Sequence, residues 1–424
     1  MFLHIDIDSF FISAERTKNP KLLNIPAAVG SRSNLEIFNK KRDHTRLINI
    51  NSGAFVTPVF KNDHKKTFQN YFIDKVDGKE KIRGIITTAS YEARACGVKT
   101  GMPIAKALKL CPKMVVVPAN YPLYHKLSRE LYIYMQKEIP QVEQYSIDEF
   151  FGLTRGWIKD ENIFEFALNL QKDIYQKFKL PVSIGISNSK YIAKLATEYA
   201  KPFGIYLVED NFEFIKDIPI EQFPGIGKGF SRRFRELGIK TLGDICKSKK
   251  LLYSWKKPGI ELYNRICTPN YGSINKQEAK KSIGLSRTFD AINDFNEIKR
   301  RISIIARYLS FMANRANVNP RRFELKLYYK DGTKKKDSIS SNRVFSEQLL
   351  KESLLKILNK IWLPNAGGVI KLRANITSFA KKDNHLIPNI LTIDKDIKNK
   401  KLDDAIIKLR QKFGLDILKR GDEI

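Results

Sequence analysis

Short, mostly apolar segments alternate with amphipathic segments along the first 209 residues. Buried strands are predicted for the segments 2–7, 25–30, 114–118 and 180–187. Apolar residues recur between them at helical spacing, which predicts helices at 121–138, 161–178 and 188–200. The last helix is expected to end near Lys201, because Pro202 and Gly204 follow it. This alternation indicates an α+β domain that is built on a mixed sheet.

The rest of the chain changes from a helical region to a second mixed region. Residues 210–277 are patterned as helices only and end in a Lys-rich connector. A long helix with one apolar stripe is predicted at 294–316, and Asp331-Gly332 predicts a hairpin turn. Further elements are expected at 346–361 (helix), 369–379 (strand) and 401–413 (helix). The last third is therefore predicted to be an α/β sandwich.

The net charge narrows the class of partner. A formal charge of +31 on 424 residues, spread over the whole chain, predicts a large polyanionic ligand, with nucleic acid ahead of an anionic membrane. No apolar run approaches the roughly 20 residues that span a bilayer. Polar residues interrupt the apolar N-terminal stretch, so no signal peptide is predicted.

The cysteines and histidines predict neither a disulfide framework nor a zinc site. The four cysteines have no Cys-x-x-Cys spacing, and the five histidines have no spacing typical of metal ligands. We therefore expect free, reduced thiols in a cytosolic protein.

Three acidic residues interrupt or border apolar strands. Asp6 lies in the first strand, and Asp148 and Glu149 lie in the segment VEQYSIDEFFGL. A buried carboxylate is costly unless a cation compensates it, and Mg²⁺ prefers carboxylate oxygens and substrate phosphates as ligands. The three residues therefore predict a cradle for two-metal phosphoryl transfer. The alternative is that they are isolated surface acids at strand ends.

Strand geometry constrains this cradle. Neighbouring residues of a regular strand point to opposite faces, so Asp148 and Glu149 should lie at a hairpin end or a bulge to reach the same metals. Asp8 shares a face with Asp6, but it directly precedes a predicted helix. We expect Asp8 to be the N-cap of that helix.

A glycine-rich segment, Pro224-Gly225-Ile226-Gly227-Lys228, lies between two helical patterns. Glycine lets a ligand approach the backbone closely, and the positive end of the following helix favours an anion. Gly225, Gly227 and Lys228 therefore predict an element that resembles a helix–hairpin–helix and grips a DNA phosphate without reading bases. The alternative is a plain turn between two helices.

Two further sites have side chains suited to phosphate. Lys190 lies in the first turn of a predicted helix, where a lysine opposes the helix dipole, so an anion shared with the helix N-terminus would explain it. Tyr91 and Arg94 share a helix face and offer a hydroxyl and a planar guanidinium. In each case the alternative is a solvated side chain on a helix surface.

Together these motifs resemble the Y-family DNA polymerases of the translesion type, similar to bacterial DNA polymerase IV. The motifs IDIDSFF, ASYEAR, SIDEFF, AKPFG, PGIG and KSIGLSRTF occur in this order and cover most of residues 1–30 and 83–290. Beyond residue 290 only the pattern matches. The resemblance implies a multidomain α+β fold that is shaped as a right hand. Its parts are a palm with a mixed or antiparallel sheet (1–16 and 114–209), small fingers (17–113), an all-helical thumb with a helix–hairpin–helix (210–277), a linker (278–286) and an α/β little finger (287–424).

The resemblance also implies roles for individual residues. Two Mg²⁺ ions would be held by Asp6, Asp148 and Glu149 with the main-chain carbonyl of Ile7. The triphosphate of the incoming nucleotide would be bound by Tyr91, Arg94 and Lys190. Phe11 would be the steric gate beneath the sugar, and Phe10 would pack beside it. For both phenylalanines the alternative is core packing of the first helix.

The implied activity is template-directed extension of a primer 3′-end, with low fidelity and no proofreading. Primer–template DNA and deoxynucleoside triphosphates would be the substrates of a monomeric, cytoplasmic protein that does not bind membranes. A sliding clamp is a further candidate partner, although no convincing clamp-binding peptide is found at the C-terminus.

Residues 31–82 depart from the family pattern, which has a far shorter link there. We expect a surface insertion that the fold tolerates, since long loops add little closure entropy; the alternative is a cover over the nascent base pair or the template strand. Two rival functions remain for the whole chain. A nucleotidyl cyclase could also use two acidic strands and two metals, but it needs no grip on duplex DNA. A non-catalytic DNA-binding scaffold would have no need of the three carboxylates.

Overall fold

The computed structural model of the protein describes residues 1–33, 35–39, 47–52, 55–60, 66–76, 78–274, 281–380 and 392–423. It divides the chain into two compact units. The N-terminal unit comprises Met1–Ser31 and Ile48–Glu278, and the C-terminal unit comprises Arg32–Leu47 and Ala279–Ile424. The chain therefore passes between the units three times, whereas the sequence predicted a single passage at the linker.

Strands and helices alternate through most of the N-terminal unit. The strands up to residue 207 are β1 (Phe2–Ile7), β2 (Ala27–Ser31), β3 (Leu47–Ser52), β4 (Phe55–Phe60), β5 (Ile73–Val76), β6 (Lys79–Ile82), β7 (Ile85–Ala89), β8 (Val115–Pro118), β9 (Gln141–Gln144), β10 (Glu149–Leu153), β11 (Val182–Ser187) and β12 (Ile205–Leu207). The helices up to residue 274 are α1 (Phe10–Lys18), α2 (Phe68–Phe72), α3 (Tyr91–Ala95), α4 (Ile104–Leu110), α5 (Tyr121–Glu138), α6 (Ile163–Phe178), α7 (Lys190–Ala200), α8 (Asn211–Ile215), α9 (Lys228–Glu236), α10 (Leu242–Lys247), α11 (Lys249–Ser254) and α12 (Lys256–Cys267).

A five-stranded mixed sheet forms the centre of this unit, in the order β12-β11-β1-β10-β9. β1 is antiparallel to both of its neighbours, and β12 is parallel to β11. Every residue of β1 is buried, because α7 packs against β1 and β11 while apolar residues of α5 and α6 join the core that contains β1. The sheet predicted for the palm is thus present, and its central strand carries Asp6.

A second, three-stranded sheet has the order β7-β2-β8. β8 pairs with β2 in parallel, and Val116 belongs to the same apolar cluster as Ile86 and Ile104. The boundary predicted at residue 114 was therefore wrong: Val115–Pro118 completes the sheet of the predicted fingers, because it pairs with β2 and buries Val116 in that cluster, although Val117 packs against the core that contains β1.

The insertion at 31–82 is not only a surface loop. Phe72, at the end of α2, is fully buried in the cluster of the three-stranded sheet, and Tyr71 is buried beside it. Ile37 and Phe38 are also buried, and they belong to the C-terminal unit. The expectation of a tolerated surface segment was wrong for these residues. Residues 34, 40–46, 53–54, 61–65 and 77 lie outside the described residues.

Residues 211–267 of the predicted thumb carry α8–α12, as the sequence predicted. Their apolar side chains form one core with Ile192, Leu195 and Ala196 of α7. Cys246 and Cys267 form a disulfide with a Cα–Cα distance of 5.5 Å, so the prediction of four free thiols was wrong. The two cysteines lie 21 residues apart, and the packing of α10 against α12 brings them together, which no short spacing motif reveals. Cys96 and Cys111 are free.

The C-terminal unit is an α/β sandwich, as predicted. Its elements are β13 (Ser282–Ile292), α13 (Phe295–Arg315), β14 (Asn319–Tyr329), β15 (Lys334–Ser340), α14 (Glu347–Ile361), β16 (Val369–Ala380) and α15 (Ile393–Phe413). The strands form a sheet in the order β13-β16-β14-β15, with the predicted hairpin between β14 and β15. The linker predicted at 278–286 was wrong over most of its length, because Ser282 begins an edge strand that pairs with β16; residues 275–280 lie outside the described residues.

Across the described ranges, none of the helices is both long enough and apolar enough to cross a lipid bilayer.

Candidate active site

The three predicted carboxylates converge at one end of the central sheet. Asp6 faces Glu149 directly in the antiparallel pair of β1 and β10, and the Ile7 amide donates to the Asp148 carbonyl at 3.0 Å. Asp148 precedes β10 in the tight connection after β9, where the Tyr145 amide donates to the Glu149 carbonyl at 3.0 Å. Asp148 and Glu149 thus lie at a hairpin end, as strand geometry required.

Burial disfavours the charged forms of two of these carboxylates, Asp6 and Asp148. Asp6 is only 8% exposed, and burial raises its pKa to about 7, with Lys201 opposing the rise and Asp148 and Glu149 adding to it. Burial also raises the pKa of Asp148, and the neighbouring charge of Glu149 adds to this rise. Close like charges in a low-dielectric site are therefore a property of this end of the sheet.

Two lysines of one helix and its C-terminal flank partly compensate the charge. Lys201 follows α7 and places its Nζ 3.2 Å from Asp6 Oδ2, and Lys194 of α7 forms an ion pair with Glu149. Burial alone would lower the pKa of Lys201, but the carboxylates of Asp6 and Glu198 outweigh burial and raise it. These ammonium groups thus hold two of the three carboxylates.

Asp8 connects several elements and is not a helix N-cap. The N-cap position is taken by Ser9 in the left-handed region (φ 46°) without a side-chain cap bond. The buried Asp8 carboxylate accepts hydrogen bonds from Ser183 Oγ at 2.9 Å and from the Phe203 amide at 2.7 Å. The N-cap prediction was wrong because β11 and the loop after α7 offer buried donors that the local sequence does not reveal. Burial raises the pKa of Asp8, and the bond from Phe203 opposes this rise.

The Tyr91 and Arg94 pair lies next to this region. The Tyr91 hydroxyl donates to Asp8 Oδ1 at 3.3 Å, and burial followed by the Asp8 charge raises its pKa above the ordinary value. Arg94 Nε donates to the Ala89 carbonyl at 3.0 Å, and its guanidinium lies 5.0 Å from the centre of the Tyr91 ring. α3 therefore presents both predicted phosphate ligands near the end of β1 that carries Asp6 and Asp8.

Lys190 is not brought to this end of the sheet. It begins α7, whereas Lys201 follows the end of this 11-residue helix, so the two lysines are separated by about 15 Å along its axis. Lys190 Nζ donates to Glu143 Oε2 at 2.6 Å and to the Ser273 carbonyl at 3.0 Å. The side chain is buried in these contacts, which tie α7 to β9 and to the segment after α12.

Phe10 and Phe11 occupy different environments at the start of α1. Phe10 is buried, whereas Phe11 is partly exposed. The Phe11 ring stacks on Tyr124 with 4.5 Å between ring centres and 12° between planes. Tyr124 and the more distant Tyr121 thus fix the orientation of Phe11 from one side.

The glycine-rich segment begins a helix but does not follow one. Gly225 has a φ of +106°, which favours glycine, and Gly227 is the N-cap of α9, whose first residue is Lys228. The space around the missing Gly227 side chain is open. The element before the turn is a single 3₁₀ turn, Ile220–Gln222, so the helix–hairpin–helix remains a prediction.

The side chains at the carboxylate end are chemically suited to a divalent cation, but they are not prearranged as a metal site. Within the described ranges, no three His, Cys, Asp or Glu side chains are already arranged as a metal site. Three carboxylates nevertheless meet here, burial raises the pKa of Asp6 and of Asp148, and hard cations bind such oxygens. Metal binding would require Lys194 and Lys201 to give up Glu149 and Asp6.

Sequence reasoning missed three residues of this site. Lys201 was noted only as the end of a helix, although it lies in the AKPFG motif, and Lys194, one turn after Lys190, was not singled out. His4 is buried two residues before Asp6, with its Nε2 4.0 Å from Glu149 Oε1. The i, i+4 spacing of Lys190 and Lys194 indicated a common face but not which carboxylate each would meet.

Comparisons with known proteins decide the family. The profile of the impB/mucB/samB family matches residues 5–198, and the profile of this family's C-terminal domain matches residues 280–387. The chain belongs to this family of Y-family DNA polymerases. Members of the family generally use divalent metal ions, which agrees with the chemistry of the carboxylate end.

Individual relatives agree with the family. The DNA polymerase IV of Clostridium kluyveri is 29% identical over 445 residues, which cover 99% of this chain and 97% of the relative. The DNA polymerase IV of Lactococcus lactis subsp. cremoris is 27% identical over 390 residues, covering 89% and 93%. The activity is accordingly that of a DNA-directed DNA polymerase of the translesion type.

Solved structures of Y-family DNA polymerases resemble the fold of this chain. The Y-family DNA polymerase chimera Dbh-Dpo4(243-245)-Dbh superimposes with a TM-score of 0.66 at 23% identity and covers 92% of this chain and 99% of its own. The ternary insertion complex of Dbh DNA polymerase gives a TM-score of 0.55 at 22% identity, with 89% and 98% covered. These likenesses confirm the predicted multidomain α+β polymerase fold.

Proposed function

We propose that Asp6, Asp148 and Glu149 bind two Mg²⁺ ions, with help from the carbonyl of Ile7, for phosphoryl transfer to a primer 3′-hydroxyl. The observation that carries this proposal is the pKa of Asp6, which burial and the neighbouring carboxylates raise to about 7 despite Lys201. A fold that brings two partly buried carboxylates, Asp148 and Glu149, against the buried Asp6 without full compensation favours a strongly charged ligand at that place.

The chain's own part in the reaction is to hold and orient charged groups. When bound, Mg²⁺ would activate the primer hydroxyl and offset charge on the triphosphate. The hairpin between β9 and β10 holds Asp148 and Glu149 opposite Asp6, so the ligands need little rearrangement of the backbone. The carboxylate of Asp8 holds Ser183, the Phe203 amide and Tyr91 in place around them.

We assign the nucleotide triphosphate to Tyr91, Arg94 and Lys201. Tyr91 and Lys201 both interact with the acidic end of β1, and Arg94 is adjacent to Tyr91. Lys190 was expected in this role, but its short ion pair with Glu143 at the other end of α7 supports a structural role instead. Cations that surround a transferring phosphoryl group stabilise the charge that develops on it.

Phe11 is the proposed steric gate for the sugar, and Phe10 is proposed to support it from the core. The partial exposure of Phe11 and its stacking on Tyr124 support this division. Phe11→Ala should raise the ratio of ribonucleotide to deoxynucleotide incorporation, because it opens space for a 2′-hydroxyl. An unchanged ratio with intact deoxynucleotide activity would assign Phe11 to ordinary core packing; Phe10→Ala is the matched control.

Primer–template DNA is the proposed macromolecular substrate, and deoxynucleoside triphosphates are the small ones. The +31 charge supports contacts along the phosphate backbone, and the open turn with Gly225, Gly227 and Lys228 is the proposed phosphate contact of the helical region. We further propose a monomer of low fidelity without proofreading that acts in the cytoplasm, where its substrates are found. A sliding clamp remains a proposed partner.

Primer extension with Mg²⁺ and deoxynucleotides tests the proposal, on an intact template and on one with an abasic site. Extension on both templates is the expected result. DNA binding without extension would favour the scaffold, and conversion of ATP alone to a cyclic product would favour the cyclase. Binding to DNA should also weaken with salt, with a log–log slope of about −4 to −5 if on the order of 5 phosphates are neutralised.

A further inference from the structure

A short segment of the insertion forms part of the C-terminal unit. After β2 the chain leaves the N-terminal unit at Ser31, and it returns to that unit at Ile48. Residues 32–33, 35–39 and 47 are described between these points, and they include a 3₁₀ turn, Glu36–Phe38. We name Ser33 and residues 35–39 the strap.

Apolar contacts and an arginine hold the end of the strap. Phe38 is only 3% exposed, and its ring meets Phe289 of β13 nearly perpendicularly, with 6.3 Å between ring centres. The guanidinium of Arg301 lies 4.5 Å from the centres of both rings. Such a cation placed against two aromatic rings adds electrostatic attraction to the burial of apolar surface.

Hydrogen bonds fix the strap at two further points. Arg300 Nη2 donates to the Phe38 carbonyl at 3.0 Å, and Ser33 Oγ accepts from the Thr288 amide at 3.0 Å. Arg300 also donates to the Glu423 carbonyl at 3.2 Å, so one side chain joins the strap to the C-terminal turn. Its ion pair with Glu297 holds the guanidinium in this orientation.

These contacts differ from those of a loop that rests on a surface. Ile37 and Phe38 are as deeply buried as the core residues of α13, and both strap-binding arginines are mostly buried as well. Without the strap, Phe289 and the two guanidinium groups would lose their partners there. The docking surface on β13 and α13 is therefore complementary to this segment of the chain.

We propose that the strap binds the C-terminal unit firmly enough to be a second attachment of that unit to the rest of the protein. The first attachment is the chain through residues 275–280, which leads into β13. If the strap is such an attachment, cutting the chain between residues 274 and 281 will not release the C-terminal fragment. If the strap only rests on the surface, that cut will separate the fragments.

The test uses the full chain with residues 275–280 replaced by the recognition sequence of a specific protease. After cleavage, the fragments are separated by size-exclusion chromatography at micromolar concentration, without DNA and in high salt. We expect the wild-type fragments to elute together. Ile37→Ala combined with Phe38→Ala should weaken their association at least tenfold, so that they elute apart. Leu402→Ala removes an exposed leucine of the same unit and should leave the fragments together.

Two results would overturn the proposal. Separation of the wild-type fragments would show that the strap does not hold the unit, and co-elution of the doubly substituted fragments would show that other contacts hold it. Uncleaved variants are first checked for an unchanged melting transition and primer extension. If the double variant fails this check, Ser33→Ala is used instead, because it removes only the hydrogen bond from Thr288. The cleaved fragments of this variant are then diluted, and an affinity between them that equals the wild-type value would count against the strap.

Discussion

Both units bury charged side chains, but they compensate them to different extents. In the C-terminal unit, Arg307 is fully buried and donates to Glu423 at 2.7 Å. Arg410 and Arg420 both form ion pairs with Glu347. Burial alone would raise the pKa of Glu347, but the two guanidinium groups outweigh burial and lower it. Here the ionised forms are the stable ones, as expected for a structural cluster.

The carboxylate end of the N-terminal unit shows the opposite shift. Burial raises the pKa of Asp6 and of Asp148, although lysines lie against Asp6 and Glu149. The difference lies in the charge balance and in the cation: lysine is a flexible point charge, whereas arginine fixes carboxylates through several donors. We therefore interpret the raised pKa of Asp6 and Asp148 as a feature of a site for an exchangeable cation, in contrast to the ion-pair network around Glu347.

Removing one converging carboxylate should have the largest effect on function. Glu149→Gln keeps the side-chain shape but removes a proposed metal ligand. The rate of primer extension should therefore fall on the order of a thousandfold, which corresponds to a loss of several kcal/mol of transition-state stabilisation. DNA affinity should persist, because the basic side chains are spread over the chain. Asp148→Asn should behave in the same way.

Single-turnover extension and fluorescence anisotropy measure these two quantities. Glu143→Gln is the matched control, since Glu143 lies on the neighbouring strand and pairs with Lys190; it should keep most of the extension rate. A Glu149→Gln enzyme that extends primers at nearly the wild-type rate would refute the metal assignment.

In the C-terminal network, loss of one partner should reduce stability and leave the active site unchanged. Arg307→Met leaves Glu423 buried without its guanidinium, which typically costs about 3–5 kcal/mol. Chemical denaturation of the whole chain should show this loss. Arg322→Met changes an exposed arginine and should alter stability by less than about 0.5 kcal/mol.

The second substitution Glu423→Gln should return part of the lost stability to Arg307→Met, because it removes the unpaired charge. No such recovery would mean that Arg307 acts through packing and not through its charge.

Sequence prediction succeeded for features that depend on residues close together in the chain. Strand and helix patterns located β1, β11, α5, α7 and the β14–β15 hairpin, because alternation and helical spacing depend on near neighbours. The metal-ligand candidates were likewise visible, since acidic residues beside apolar strands are conspicuous. Partners set by tertiary packing were not visible.

Three particular residues show this limit. Asp8 looked like an N-cap, yet a buried hydroxyl of β11 and an amide beyond α7 take its carboxylate. Phe38 looked like part of a polar insertion, yet it is buried against β13 and α13 of the C-terminal unit. Lys190 was predicted to bind phosphate because the helix N-terminus suggested an anion, whereas the fold places Lys201 beside Asp6.

Lys201 and Lys190 are expected to contribute to different properties, nucleotide binding and stability respectively. Lys201→Ala should raise the KM for deoxynucleotides about tenfold or more, as expected when a charged hydrogen bond to a ligand is lost. Lys190→Ala should instead lower the melting temperature, because it removes a largely buried ion pair with Glu143. Steady-state kinetics and thermal unfolding of both variants separate these effects; a larger KM effect for Lys190→Ala would reverse our assignment.

Asp403 of the C-terminal unit tests the contrast between the two units, because its pKa is raised like that of Asp6. Asp403 is buried, and burial raises its pKa to about 6, opposed by the Glu347 amide and aided by the Glu347 charge. Its raised pKa resembles that of Asp6, but Asp403 accepts a backbone hydrogen bond at 2.6 Å from the first residue of α14. If the comparison is right, its shift reflects stability alone.

The sign of the pH dependence follows from that shift. The folded protein holds the Asp403 proton more tightly than the unfolded chain, whose ordinary value is 3.8, so ionisation destabilises the fold increasingly from pH 4 to 6 and fully above pH 6. Asp403→Asn keeps an acceptor for the Glu347 amide and should stabilise the protein by about 1–3 kcal/mol at pH 7.5, but hardly at pH 4. Asp404→Asn, at an exposed neighbour, should change little at either pH. Equal effects of Asp403→Asn at both pH values would show that the charge of Asp403 is not the cause.

Added Mg²⁺ gives a second test. It should raise the stability of the wild type and of Asp403→Asn equally if only the N-terminal carboxylates bind Mg²⁺.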